Sequence, residues 1–371
     1  MKSPESSRAR ERAAIIDDEA AVTGKVRRTT AKVLRERRRQ APSTRLALIV
    51  VLSAVLIFAL VLTLTPWPSS MLIRSVFERG GKATVREMTP YVPDTPLQTQ
   101  TGVAYKPGST FDVFRPEGIT SRLPAVVWIH GGAWISGAQR DVDPYLRILA
   151  AEGYTTIGVG YPIAPEATYP TAVQDINQAL AYIKDHADEL NIDSSRIVLA
   201  GDSAGAQLAS QMATLTVNPD YANLMGIRPA LLKDELVAMI LHCGVYDLRA
   251  MADLSGVPAW GFKTALWAYT GTKNWSATYA GSTMSTIEFV TADLPPTFIS
   301  GGNGDGLTWI QSVPYSTRLK AAGVPVTELF WSADHEPQLP HEYQFHLDFS
   351  EAQEARNKTF DFLRTHTAGI T

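Results

Sequence analysis

Cysteine is almost missing from this chain. Cys243 is alone in 371 residues, so no intramolecular disulfide can form, and its place in the apolar run VAMILHCGVYD reads as a buried structural thiol. Metal-binding spacing is missing too. The nearest stretch, HEPQLPH, sets His335 and His341 six apart with two prolines between them, so they cannot share one helical face as H-E-x-x-H requires. The glycine cluster around Asn303 has no Lys-Ser/Thr behind it and no helix beginning on cue, which argues against a phosphate loop. Internal repeats are absent, and so is low complexity outside the N-terminal tail.

Charge of one sign is also unevenly absent. Residues 1–45 hold 13 Lys and Arg against 6 Asp and Glu, whereas the rest of the chain holds 21 against 31. The basic part, RARERAAIIDDEA to KVLRERRRQ, lacks a sustained apolar stripe and reads as a mobile, disordered tail. Arg-rich runs can neutralise phosphates, but the neighbouring sequence turns the reading away from nucleic acid. Leu46 to Leu64 carries no charge and only Ser53 and Thr63 as polar interruptions, enough for about 28 Å of helix at ~1.5 Å per residue. The expected span is 46–67. A cleaved signal peptide has an apolar region of about 7 to 15 residues and a small-residue cleavage site, whereas here TPWPSS follows a longer run.

The flanks of that run predict its orientation. Residues 31–45 hold six Lys and Arg (Lys32, Arg35, Arg37, Arg38, Arg39, Arg45), and residues 68–82 hold three (Arg74, Arg79, Lys82). Cationic flanks stay in the cytoplasm. The expectation is therefore a single-pass membrane protein with a cytoplasmic N-terminus and an extracytoplasmic C-terminal domain. Residues 68–100, with MLIRSVFERGGK and TPYVPDTPLQTQTG, read as a connector.

From 101 to 371 short β-branched runs alternate with helical patterns. FDVFRP, LPAVVWIH, YTTIGVGYP, RIVLA, ELVAMILH, PPTFISGG and PVTELFW read as strands, and VDPYLRILAAEG and YPTAVQDINQALAYIKDHADEL as helices. Such alternation predicts a mostly parallel sheet with helices on both faces, an α/β domain with one large core. Residues 247–293 are irregular and rich in aromatics, and Trp260, Trp267 and Trp275 are expected over the C-terminal edge of the sheet.

Within that pattern lies GDSAG, Gly201 to Gly205, between the strand RIVLA and the helical AQLASQMATL. In G-x-S-x-G the glycines permit a tight strand-to-helix turn that pushes the serine hydroxyl past the end of the sheet. Ser203 then sits at a helix N-terminus, whose amides favour a developing negative charge. A serine needs a base to take its proton and an acid to orient the base. HGGAW, His130 to Trp134, follows another strand, and its backbone amides can aim at an oxyanion together with that of Ala204.

HGGAW, YPIAPEATYPTAVQD and GDSAG, in that order, resemble the α/β-hydrolase fold and specifically its carboxylesterase branch similar to hormone-sensitive lipase, with H-G-G-G-[FW], Y-R-L-A-P-E and G-D-S-A-G. The likeness covers roughly residues 100–370. It implies a Ser, Asp, His triad in that order, an oxyanion hole at Gly131, Gly132 and Ala133 with Ala204, and ester hydrolysis without metal or cofactor. Ala133 stands where the family has its third glycine, a change that keeps the amide and alters the acyl pocket. The family's G-x-x-D-P-L resembles GNGDGL, which implies Asp305 as the acid, with Gly306 in place of proline. For the base, His130 belongs to the oxyanion motif, His242 to a strand, and His186 and His366 to helical segments, leaving His335, His341 and His346. The family's histidine followed by Gly-Phe resembles PHEYQF, favouring His341 over His335, with Glu342 in place of glycine. Asp202, Tyr161 and His130 are expected to support the site from behind.

The expected function is a membrane-anchored serine carboxylesterase acting on small, uncharged short- to medium-chain esters. Its alternatives are an amidase or polysaccharide deacetylase with the same triad, and a receptor or scaffold that kept the fold without the activity.

Overall fold

The apolar runs become eight strands in the computed structural model, which describes residues 4–40 and 44–368. They are β1 (Leu97–Lys106), β2 (Ser109–Pro116), β3 (Leu123–Ile129), β4 (Thr155–Val159), β5 (Ile192–Asp202), β6 (Leu236–His242), β7 (Thr297–Gly301) and β8 (Val326–Phe330). One sheet holds them in the order β1-β2-β4-β3-β5-β6-β7-β8. β1 and β2 run antiparallel to each other, β2 antiparallel to β4, and every later pairing is parallel.

The central strand β3 is apolar along its whole length because both its faces are covered. All seven residues of β3 are buried. Ala125, Val127 and Ile129 enter one core, and Val126 and Trp128 enter the other, as the two-residue repeat of a strand demands.

Helices α1 (Pro4–Gln40), α2 (Thr44–Leu64), α3 (Trp67–Met88), α4 (Asp143–Ala151), α5 (Thr171–Asp185), α6 (Ala204–Val217), α7 (Pro219–Met225), α8 (Leu248–Ala252), α9 (Gly256–Thr270), α10 (Tyr279–Met284), α11 (Val313–Ala321) and α12 (Ser350–Thr367) complete the chain. α5 and α6 contribute Val173, Ile176, Leu180, Leu208 and Met212 to the first core. α4 and α12 contribute Leu146, Leu149, Phe362 and Leu363 to the second. The stretch 247–293, irregular by sequence, contains α8, α9 and α10.

The chain divides into two units between Thr65 and Pro66. In the first, α1 occupies the stretch that reads as a disordered tail. Its described side chains are all exposed. Ala, Arg, Glu and Lys favour a helix through the backbone alone, whereas the missing apolar stripe bears only on packing. Leu46–Leu64 is long and apolar enough to cross a membrane, with none of it buried. The helix ends at Leu64, before the expected boundary at residue 67.

In the second unit, residues 68–100 are not a free connector. α3 docks on the domain through Ser70, Ile73 and Met88, and β1 begins at Leu97. Arg74 fixes α3 in place. Its Nε donates to Ile135 O at 2.6 Å, its Nη2 to Ala164 O at 2.6 Å, and its two Nη atoms to the Glu166 carboxylate at 2.8 and 2.6 Å. The bidentate pairing suits a planar guanidinium. The amphipathic pattern of MLIRSVFERGGK is visible in sequence, but these partners lie more than sixty residues downstream.

Candidate active site

The C-terminal ends of β3, β5, β6 and β7 lie level with one another. Ile129 pairs with Gly201, Asp202 with His242, and His242 with Ser300, so the following loops converge on one crevice, where ligands bind in open α/β sheets.

The turn at Ser203 explains the glycines beside it. Ser203 has φ 52° and ψ −119°, a strained conformation for an L-residue, and its amide is held by His242 O at 2.8 Å. A Cβ on Gly205 would lie 1.9 Å from Ile129 O and 2.5 Å from His130 O, and one on Gly201 would lie 2.5 Å from Gly205 C. Helix α6 can therefore start against the end of β3 only if both positions lack side chains.

The structure brings Ser203, His341 and Asp305 into one hydrogen-bonded line. His341 Nε2 is 2.9 Å from Ser203 Oγ, and His341 Nδ1 is 2.7 Å from Asp305 Oδ2. Asp305 is buried, and its Oδ1 accepts from Leu307 N at 2.9 Å, which steadies the loop despite Gly306. Burial works to lower the His341 pKa, but the charge and hydrogen bond of Asp305, with Glu342 and Asp202 adding, raise it to about 9. The other two loop histidines face elsewhere. His335 Nε2 meets Glu351 Oε1 at 2.8 Å, and His346 Nδ1 meets Glu87 Oε2 at 2.6 Å.

The HGGAW turn differs in detail from its expected part. The Gly131 amide donates to Asp202 Oδ2 at 2.8 Å, so it is committed and does not face an oxyanion. Asp202 Oδ1 accepts from Trp128 Nε1 at 2.7 Å. Gly132, Ala133 and Trp134 all have positive φ, at 107°, 53° and 60°, and this turn puts Gly132 and Ala133 in the wall of the crevice beside Ser203. Ala204 opens α6, where a first-turn amide has no intrahelical acceptor. Of the expected amides, those of Gly132, Ala133 and Ala204 are thus the ones not seen committed to Asp202.

His130 and Tyr161 support this turn from beneath. Their rings stack with centroids 4.3 Å apart, Tyr161 Oη donates to His130 O at 2.8 Å, and His130 Nδ1 lies 2.8 Å from Gly131 O. Burial lowers the His130 pKa to about 4, so the ring is neutral at pH 7 and Nδ1 can donate to that carbonyl.

The cavity above Ser203 has a volume of about 470 Å3. Its walls include Ala133, Phe262 of α9, and Val76, Phe77, Gly80 and Ala83 of α3, and no lysine or arginine among the described residues lines it. Of the three tryptophans of 247–293, none lines this cavity: Trp275 is buried, Trp267 lies under Lys273 Nζ at 4.3 Å, and Trp260 is exposed.

Sequence reasoning missed α3 as a wall, and it missed Asn303. The Asn303 amide clamps the acid loop to the histidine loop, donating to His335 O at 2.8 Å and accepting from Leu339 N at 2.9 Å. Only the glycines flanking Asn303 hinted at so tight a loop. Among the described residues, Cys243, Asp305 and His341 come close enough to hold a metal, but two of the three are committed to the Ser203 line.

Fold and site together define a carboxylic ester hydrolase of the α/β-hydrolase fold. Residues 111–319 match the BD-FAE sequence family, and the chain belongs to that family. It is 31% identical over 267 residues to carboxylesterase NlhH of Mycobacterium tuberculosis, covering 68% of this chain and 76% of that protein. It is 34% identical over 124 residues to the acetyl esterase of Salmonella choleraesuis, where the match spans 33% of this chain and only 35% of the relative. In fold it is similar to the crystal structure of esterase B from Lactobacillus rhamnosis, with a TM-score of 0.67 and 24% identity over 80% of this chain and 97% of that one.

The elbow yields a structural prediction. Gly205→Ala places a methyl group against backbone carbonyls and is expected to lower stability by about 3 kcal/mol or more, or to abolish soluble expression. Gly306→Ala, with nothing within 4 Å of the new atom, is expected to stay within about 0.5 kcal/mol of the parent. Thermal or urea unfolding of the two variants measures the contrast.

Proposed function

We propose that the chain is a serine carboxylesterase that works through an acyl-enzyme. The observation that carries this reading is the line from Ser203 Oγ through His341 to Asp305, with links of 2.9 and 2.7 Å. His341 Nε2 takes the hydroxyl proton as Ser203 Oγ attacks the acyl carbon, and Asp305 stabilises the imidazolium that forms. The amides of Gly132, Ala133 and Ala204 receive the carbonyl oxygen as it becomes negative. His341 then gives its proton to the leaving alkoxide, and a water activated by the same nitrogen releases the acid.

A cavity of about 470 Å3 with largely apolar walls favours uncharged short- to medium-chain acyl groups, in keeping with the name of the Salmonella relative. The charge-free run Leu46–Leu64 and its basic N-terminal flank support a membrane anchor with the hydrolase unit on the extracytoplasmic side.

A fluorophosphonate probe is expected to label the protein and not Ser203→Ala; labelling that survives the substitution overturns the assignment. His341→Ala should lower kcat about 10³-fold or more with binding little changed, while His335→Ala, whose partner is Glu351, should cost far less. Because a base must be neutral to accept a proton, and His341 is held at about 9, kcat/KM should rise with pH toward that value and fall about tenfold per unit below it.

Acyl selectivity and location have their own tests. p-Nitrophenyl esters of two to eight carbons should give higher kcat/KM than the palmitate, and a steady rise out to palmitate would point to a lipase. Protease added to intact cells or spheroplasts should remove the hydrolase unit and spare an N-terminal fragment. Protection of the hydrolase until lysis would reverse the orientation.

A further inference from the structure

The residue after His341 is unusual for its place. Glu342 has φ 59° and ψ 32°, in the left-handed region that a residue with a side chain rarely occupies, and glycine would hold it without strain. Strain kept at a functional site is a reason to look for a role.

The side chain reaches back into the crevice. Glu342 Oε1 lies 3.8 Å from His341 Nε2, the nitrogen facing Ser203, and Glu342 is part of the cavity wall. It also meets a second carboxyl. A Cβ on Gly131 would lie 2.7 Å from Glu342 Oε1 and 2.3 Å from Asp202 Oδ2, so both acids converge on the bare Cα of that glycine. Two carboxylates so close resist ionising together. Burial first, and then the charge of Glu342, push the Asp202 pKa well above its ordinary value. Of the two acids, Glu342 is the one whose Oε1 also faces His341 Nε2, while both oxygens of Asp202 accept hydrogen bonds from Trp128 Nε1 and Gly131 N.

We propose that Glu342 is a positioning residue for proton transfer in this site: its carboxylate, braced against Asp202, stabilises the imidazolium form of His341 from the side opposite Asp305. The inference rests on the reading of Ser203, His341 and Asp305 as the reacting line. At 3.8 Å Glu342 is too far to hydrogen-bond Nε2 and so does not compete with Ser203 or the leaving oxygen for that nitrogen. It acts by charge at this short range, where a nearby opposite charge favours the protonated ring.

The other groups around His341 leave this charge unopposed. Asp305 approaches from the loop after β7, Asp202 from the end of β5 and Cys243 from the end of β6. The neutral His130 and the Tyr161 hydroxyl lie under the oxyanion turn. Across the cavity stand Glu78 and Glu87 of α3 and Asp141, with His346 paired to Glu87. Arg140 and Lys82 act on Asp141 from outside the lining, and no Lys or Arg among the described residues lines the cavity itself, so the only cation there that can face Glu342 is the protonated ring of His341.

The experiment is a pH profile of kcat/KM on the full-length protein with p-nitrophenyl acetate, for the parent, Glu342→Gln and Glu342→Gly. Both variants should move the acid limb down by about one pH unit, so that at pH 6 each keeps about a tenfold larger share of its plateau rate. KM should change little. Glu342→Gly relieves the left-handed strain and should unfold no earlier than the parent, which keeps the comparison on a folded enzyme. Acid limbs that coincide with the parent's in both folded variants, with Ser203→Ala inactive, overturn the role of Glu342 and leave the reacting line standing. Parental activity in Ser203→Ala instead overturns that line and this inference with it.

Discussion

Everything in the catalytic half of the molecule depends on the distance between the start of α6 and the end of β3. The helix begins so close to the carbonyls of Ile129 and His130 that a single methyl group at Gly205 would overlap them. That approach lets Ser203 take its positive φ, sets its hydroxyl beyond the sheet and brings the Ala204 amide to the turn that follows β3. The parallel register of β3 and β5 fixes the same distance from below, since Ile129 and Gly201 are direct partners. Local strain at one serine is thus upheld by the most deeply buried strands of the fold.

Around this point the chain has gathered acids on one imidazole. Asp305 orients His341 through Nδ1, while Asp202 spends both its oxygens on the Trp128 indole and the Gly131 amide. The two roles are different in kind. Asp305 holds the ring that faces Ser203 Oγ, and Asp202 ties the HGGAW turn to the serine's own strand. Burial makes each hydrogen bond stronger and each unmade one costlier, so the site is stiff because its polar groups have few alternatives.

What could be read from sequence follows from how local each signal is. GDSAG and HGGAW are contiguous, and the reason for their glycines is a turn built within a few residues, so the expected strand, turn and helix match the elements found. Asp305 and His341 carry no such pattern of their own and were reachable only through the family resemblance, because what defines them is a meeting across 36 residues of chain. The commitment of Gly131 to Asp202 spans 71 residues, and nothing in the string HGG separates its first amide from the second. For the same reason α3 passed for a linker: an amphipathic stretch shows that it has an apolar face, not that Arg74 will find two carbonyls and a carboxylate. The tryptophans of 247–293 erred the other way, since large aromatics fill cores as readily as they line cavities.

The docking of α3 has a consequence for how such an enzyme can change. The line of Ser203, His341 and Asp305 is assembled from loops at the ends of β5, β7 and β8, whereas much of the cavity's outer wall is supplied by residues 76–87, a stretch that precedes the first strand of the sheet. Chemistry and shape are therefore written in separate passages of the chain. Side chains such as Val76 and Phe77 can be exchanged, or the small Gly80, Gly81 and Ala83 enlarged, without touching Ser203, His341 or Asp305. The shape of the cavity can drift in evolution while that line of residues stays the same.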